Sequence, residues 1–277
     1  FIDSGDTIID ESTQQYLKEK PEIVQKGGNH MEEDRALLRE RANQKLGKLL
    51  EAFLPILYED DEPFMRNMRE KKHISEEELR KYAHWEWTQG VGLYGLWKLF
   101  DSTGDRDCLD MLTRFYDNQL AIGFPQRNVN TMAPYLAMSY LGEYLESEAY
   151  LEPCRQAAQW VMQDMKRTKE GGIQHQTSDD LNDEELWDDT LFMTVLFLAN
   201  MGRILDREDY RQEAQYQFLL HMKYLQDPVT GFWYHGWTFR QRNNFAGAFW
   251  GRGNCWITMA IPELLDMIEV PESVRRI

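Results

Sequence analysis

The chain has 277 residues, 31 of them Lys or Arg and 47 Asp or Glu, so its formal net charge is −16. Hydrophobic residues at 42% and charged residues at 28% are in globular proportion, which excludes wholesale disorder and allows one or two domains around a large core. The acidic balance argues against a nucleic-acid phosphate partner, and the longest apolar run, 191–199, is far short of the roughly 20 residues that cross a bilayer.

Residues 1–30 are polar, lack sustained periodicity and carry no basic-then-apolar leader pattern. They are expected to form a loosely structured arm, and residues 31–277 a single domain. From Glu32 onward the pattern predicts an all-α chain with one strand candidate, 231–237. Ser75 followed by Glu78 reads as a capping box. Turn signals stand at Gly104, Gly171-Gly172, Asp227-Pro228 and Gly231.

The predicted helices alternate between two kinds. Amphipathic, charged ones cover 33–58, 106–121, 149–168 and 208–225; in the last, Tyr210, Ala214, Phe218 and Met222 form one apolar stripe. Helices that are apolar or small nearly all round cover 89–100, 130–145, 189–201 and 254–268, and a helix without a polar face is buried on all sides. This outer–inner alternation is a helical-hairpin repeat. Stacked hairpins with one buried helix each predict an (α/α) toroid, with the inner helices' N-terminal ends sharing one rim. Positive dipole ends and free N–H groups converge there, so a site belongs there.

The segments at that rim are rich in Trp, His, Arg, Asp, Asn and Gln. Glu86-Trp87-Thr88-Gln89, Arg127-Asn128-Val129-Asn130, Trp187-Asp188-Asp189 and Trp250-Gly251-Arg252 through Trp256 open the inner helices; His175 and Tyr234-His235-Gly236-Trp237 lie in connecting loops. The mixture suits a sugar: indoles stack on a pyranose face, amides and imidazoles bind hydroxyls, and a carboxyl group moves a proton. Cys108, Cys154 and Cys255 are odd in number and widely spaced. That is neither a disulfide framework nor a zinc pattern, and it predicts free buried thiols in a reducing cytoplasm.

These segments, in this order, resemble the unsaturated glycuronyl hydrolases of glycoside hydrolase family 105, with family 88 as cousin. Trp187-Asp188-Asp189 matches the family's Trp-x-Asp, Tyr234 to Trp237 its Tyr-His-x-Trp, Trp250 to Trp256 its Trp-x-Arg-x-x-x-Trp, and Gly171 to His175 its Gly-Gly-x-x-His. The resemblance implies a six-hairpin barrel from which this chain lacks the last hairpins. It implies removal of a terminal 4,5-unsaturated uronic acid from lyase-generated oligosaccharides, rhamnogalacturonan by default, by acid-catalysed hydration of the C4=C5 bond. No metal or cofactor is expected, and the expected partner is the unsaturated oligosaccharide alone, with neither nucleic acid nor membrane.

By the same match Asp189 is the proton donor. It must then be protonated, against the helix N-terminus and Arg252 but with burial among indoles and the charge of Asp188 in its favour. Arg252 is expected to meet the uronate carboxylate, His175 and His235 to bind hydroxyls or orient water, and Trp87, Trp187, Trp250 and Trp256 to stack. Asn130 stands where several family members carry Asp and can only hydrogen-bond; Gln89 faces the same rim. Plainer alternatives stand beside each: Asp189 or Asn130 as a helix cap, Asp188 as the donor, Arg252 in a buried salt bridge, and the rings as core. For the whole chain the alternatives are a non-catalytic sugar-binding protein, or an epimerase, which would need paired histidines on the inner helices.

Overall fold

The computed structural model describes residues 21–59, 61–178, 180–245 and 247–277. It divides into two units, one ending at Pro55 and the other running from Ile56 to Ile277. The described part of the first is helix α1, Pro21–Ile56, except for its last residue Ile56, which belongs to the second; the helix is rich in the strong helix formers Glu, Arg, Lys, Leu and Ala. It begins earlier than the expected Glu32; residues 1–20 of the expected arm lie outside the described residues.

The second unit opens with two short helices, α2 (Glu62–Lys72) and α3 (Glu76–Tyr82). Asp61 caps the first by accepting from Phe64 N, and Ser75 Oγ caps the second by accepting from Glu78 N at 3.2 Å, as its sequence predicts. They pack on each other through Met65, Met68, Leu79 and Tyr82.

Three hairpin pairs follow. Inner helix α4 (Trp87–Thr103) is joined through Gly104 to outer helix α5 (Arg106–Ile122). Inner α6 (Val129–Tyr144) leads to outer α7 (Glu148–Gln163), and inner α8 (Leu196–Ile204) to outer α9 (Glu208–Leu225). Inner α10 (Gly251–Met267) and a last turn, α11 (Glu272–Arg275), complete the unit. The inner helices pack in sequence, α4 on α6, α6 on α8 and α8 on α10. Gly90 sets the first approach: a Cβ there would come within 2.6 Å of Ala133 on α6. Fully buried Asn200 donates to Ser139 Oγ at 2.8 Å, tying α8 to α6. Glu263 on α10 accepts from Tyr94 and Lys98 on α4, so the first and last inner helices are also tied to each other.

Burial follows the predicted division. Inner α6 buries nearly every residue from Val129 to Leu141, whereas outer α5 buries one stripe: Cys108, Leu109, Leu112, Phe115, Tyr116 and Gln119. Trp85, two residues before Trp87, is fully buried core. Its ring meets Phe115, Tyr116, Phe124 and Tyr135, and its Nε1 donates to Thr131 O at 2.9 Å.

Two features do not follow from helical periodicity. Strand β1 (Glu185–Trp187) pairs antiparallel with β2 (Gly236–Thr238), Leu186 opposite Trp237. The strand candidate 231–237 is thus realised only at its end, against a partner segment that sequence had marked as motif. The inner helix begins at Asp189 as expected, but it passes through a π-helical turn, Leu191–Val195, before α8. Such turns insert one residue into the helical ladder and recur at functional sites.

Candidate active site

The β1–β2 pair builds the site. It runs Trp187 alongside Gly236, and beyond the last pair Asp188 N donates to His235 O at 3.1 Å. The two rim segments, far apart in sequence, are thereby locked face to face. Asp188 is fully buried, and its Oδ1 meets His235 Nδ1 at 2.8 Å. The same ring nitrogen stands 3.4 Å from Asp189 Oδ2.

Asp189 does not cap the inner helix. Its Oδ1 accepts from Trp256 Nε1 at 3.0 Å, and its side chain keeps 16% of its surface exposed. No Lys or Arg pairs with it among the described residues. The aromatic side chains form a continuous circuit around it. His175 lies flat on Trp187, centroids 4.5 Å apart at 2°; Trp187 meets His235 edge-on at 4.7 Å; His235 meets Trp250 edge-on at 4.5 Å. The Arg252 guanidinium lies 3.7 Å over Trp250 and 5.4 Å from Trp87, and Trp87 meets Trp256 edge-on at 6.0 Å. Trp256 returns the circuit to Asp189.

The circuit holds every predicted site residue except Gln89 and Asn130. Gln89 is buried and its amide is committed: Oε1 accepts from Glu86 N and Thr88 Oγ1, closing the capping box of α4, and Nε2 donates to Ile56 O at 3.2 Å. It is a cap and not a rim contact. Asn130 is not the cap of α6. Asn128 is, its Oδ1 accepting from the backbone N of both Asn130 and Thr131. The half-buried Asn130 side chain makes no hydrogen bond among the described residues. Arg252 is exposed and has no carboxylate partner among the described residues, so it stands in no salt bridge there. Cys108 and Cys154 are buried as expected, but Cys255 is exposed.

Three residues at the site went unassigned at the level of sequence. Thr190, fully buried, meets His175 Nδ1 through Oγ1 at 2.8 Å. Phe245 leans on Trp187 at 5.7 Å. Gly253, in the first turn of α10, lies where any Cβ would overlap the Asp188 carboxyl, 2.9 Å from its Cγ. No periodic signal marks these; each is defined by what packs against it.

Protonation follows from burial and neighbours. Burial pushes His175 down to about 4 against the pull of Asp189, so its ring is neutral. Burial pushes Asp188 up to about 7; the His235 hydrogen bond opposes this and Asp189 adds to it. For His235 burial acts downward, but the hydrogen bond and charge of Asp188 outweigh it and the ring is raised. Asp188, Asp189 and His235 each offer a ligand atom within 4.8 Å of the others. Asp188 and His235 face each other at 2.8 Å, however, closer than the about 3.3 Å that separates two ligands of one tetrahedral zinc ion, and that geometry places a proton between them.

The signature of Glycosyl Hydrolase Family 88 matches residues 60–277. Unsaturated rhamnogalacturonyl hydrolase YesR of Bacillus subtilis (strain 168) is 33% identical over 188 residues, 67% of this chain and 55% of that protein. The crystal structure of a possible member of glycoside hydrolase family 105 from Klebsiella pneumoniae is 48% identical, with a TM-score of 0.69 over 70% of this chain and 52% of that one. A second possible member, from Salmonella enterica, is 38% identical at the same TM-score, over 82% and 62% of the two chains. The likeness shows an (α/α) toroid of helical hairpins. The chain spans between about half and three fifths of these relatives' lengths. Among its described residues no helix is long and apolar enough to cross a membrane.

Proposed function

The chain belongs to Glycosyl Hydrolase Family 88, and from that premise we propose that it removes a terminal 4,5-unsaturated uronic acid from lyase-generated oligosaccharides, those of rhamnogalacturonan in particular. The observation that carries this reading is the Asp189 carboxyl, partly exposed and paired with no Lys or Arg among the described residues, with the indoles of Trp87, Trp187, Trp250 and Trp256 in the circuit around it. The name of the 33% identical Bacillus relative supports the choice of polysaccharide.

The chemistry is hydration of an enol ether. Protonated Asp189 gives its proton to C4, and the ring oxygen's lone pair stabilises the cation left at C5. The Asp189 carboxylate then takes a proton from water as the water oxygen bonds to C5. The resulting hemiketal opens and releases the aglycone. One carboxyl acting as acid and then base suffices, without the paired carboxylates of ordinary glycosidases. Trp256 orients that carboxyl through its N–H. Arg252, held over Trp250 and with no carboxylate partner among the described residues, receives the uronate carboxylate by a charge-assisted bond. Neutral His175, fixed by Thr190 and stacked on Trp187, holds the Trp187 wall in place. Three free cysteines, one of them exposed, support a reducing, cytoplasmic setting.

The test is the ultraviolet absorbance of the enol ether during incubation with lyase-generated unsaturated rhamnogalacturonan disaccharides. Wild type is expected to discharge it, and Asp189→Asn to slow the decay by about 10²–10⁴-fold, the usual contribution of a positioned general acid. Steady absorbance with wild type, or full activity in the variant, overturns the reading. Asn130, which offers no carboxyl, favours a second reading as a sugar-binding protein; binding of the disaccharide without decay would establish it.

A further inference from the structure

We infer that Asp188 is a positioning residue that holds the His235 imidazole off Asp189, and that Gly253 is the slot that admits it. The inference rests on the proposed role of Asp189 and extends it to two residues to which sequence gave no such task.

The argument begins with one proton and two competing acceptors. The His235 Nδ1–H lies between Asp188 Oδ1 at 2.8 Å and Asp189 Oδ2 at 3.4 Å. The nearer, fully buried carboxyl takes it. If Asp188 were absent, the ring would turn to Asp189, and an imidazolium paired with that carboxyl would stabilise its ionised form. A general acid must keep its proton, so such a pair would work against the reaction. Asp188 gives the imidazole another partner and leaves Asp189 to Trp256.

A carboxyl without solvent needs a reason to stay where it is. The backbone supplies one, since Asp188 N donates to His235 O and the β1–β2 pair fixes both residues. Helix α10 supplies the other. Asp188 Oδ2 has no hydrogen-bond partner among the described residues and stands 2.1 Å from where a Cβ on Gly253 would be. Any side chain at 253 would drive the carboxyl back toward His235 and Asp189. Burial keeps the Asp188 carboxyl easily protonated, in keeping with a pair that shares its proton. The charged and titratable groups facing this pair are Asp189, from its own segment, and Arg252, from α10; neutral His175 faces Asp189 across Trp187.

The test uses the full chain carrying Asp188→Ala, Asp188→Asn or Gly253→Ala, and two measurements. The first is the pH profile of kcat on the unsaturated disaccharide. In Asp188→Ala the basic limb is expected to move to lower pH by about one unit, because Asp189 now loses its proton more readily, whereas in Gly253→Ala it is expected to move to higher pH, because the displaced Asp188 carboxyl crowds Asp189. A residue with only a packing role would lower kcat by one factor at every pH and leave the limb in place, which would overturn the inference. So would loss of all turnover in Asp188→Ala together with retained turnover in Asp189→Asn, since Asp188 would then be the donor. The second measurement is the NMR titration of the His235 ring, which needs no turnover and therefore decides the matter even if the enzymatic reading fails. Its midpoint is expected to fall by about one unit in Asp188→Asn, which keeps the shape and removes the charge. An unchanged midpoint overturns the inference.

Discussion

Trp256 holds Asp189 by a single N–H···O bond, and that bond can be removed without removing the ring. Trp256→Phe retains the edge contact with Trp87 and the packing on Phe192 but loses the donor. A hydrogen bond to a charged group contributes about 1.5–3 kcal/mol. The variant should therefore lose about 10- to 100-fold in kcat with little change in KM, read from the decay of enol-ether absorbance. At this scale the motif residues were legible because chemistry constrains their type: indoles, imidazoles and an acid at one rim. Their neighbours were not. Asn128 and Asn130 are both competent caps two residues apart, and only backbone geometry gives the task to Asn128. Asp188 reads as a like charge beside Asp189, or as an alternative donor, until β2 brings His235 against it. Gln89 resembled a rim amide because its capping partner, Glu86, belongs to the same motif.

At the scale of elements, the alternation of buried and half-buried helices was readable because burial on all sides and burial on one stripe leave different periodicities. The two three-residue strands have too few residues to show a period of two. Yet it is their pairing that sets Asp188 against His235. Leu186, at the centre of β1, is fully buried against Leu220 and Phe239. Leu186→Ala should destabilise the protein by about 2–5 kcal/mol, measured by urea unfolding, through lost transfer energy and the cavity left behind. Variant protein that remains folded should also lose turnover, because β1 no longer presents Asp188 and Asp189 in register with β2. If the stability loss came with unchanged turnover, the strand pair would be a structural brace with no part in alignment. The π-helical turn was equally unreadable: its composition, Leu-Phe-Met-Thr-Val, is that of any buried helix, and only the hydrogen-bond ladder distinguishes it.

For the molecule as a whole, stability and pH are linked through groups buried in one ionic form. Burial drives both His175 and His221 down to about 4, whereas an unfolded imidazole titrates near 6.5. As pH falls through that window the unfolded chain binds protons that the native chain refuses. Stability present above pH 6.5 is lost at about 1.4 kcal/mol per pH unit for each ring. Asp188, raised to about 7, acts in the opposite sense over the same window, since its native form takes a proton that an unfolded aspartate does not. His221 sits on α9 outside the aromatic circuit, its Nδ1 facing Gln217 O. His221→Leu should flatten the acid slope of urea midpoints between pH 6.5 and 4 by about one ring's share; an unaltered slope would mean that His221 does not resist protonation. The arrangement of His235 has an optical consequence as well. Its imidazole edge meets the indoles of Trp187 and Trp250 at 4.7 and 4.5 Å, and these are two of only nine tryptophans in the chain. A cationic imidazole draws electrons from an excited indole and dims it. The emission of the unlabelled protein therefore carries a built-in gauge of the charge beside the acid, legible in a cuvette while the reaction runs.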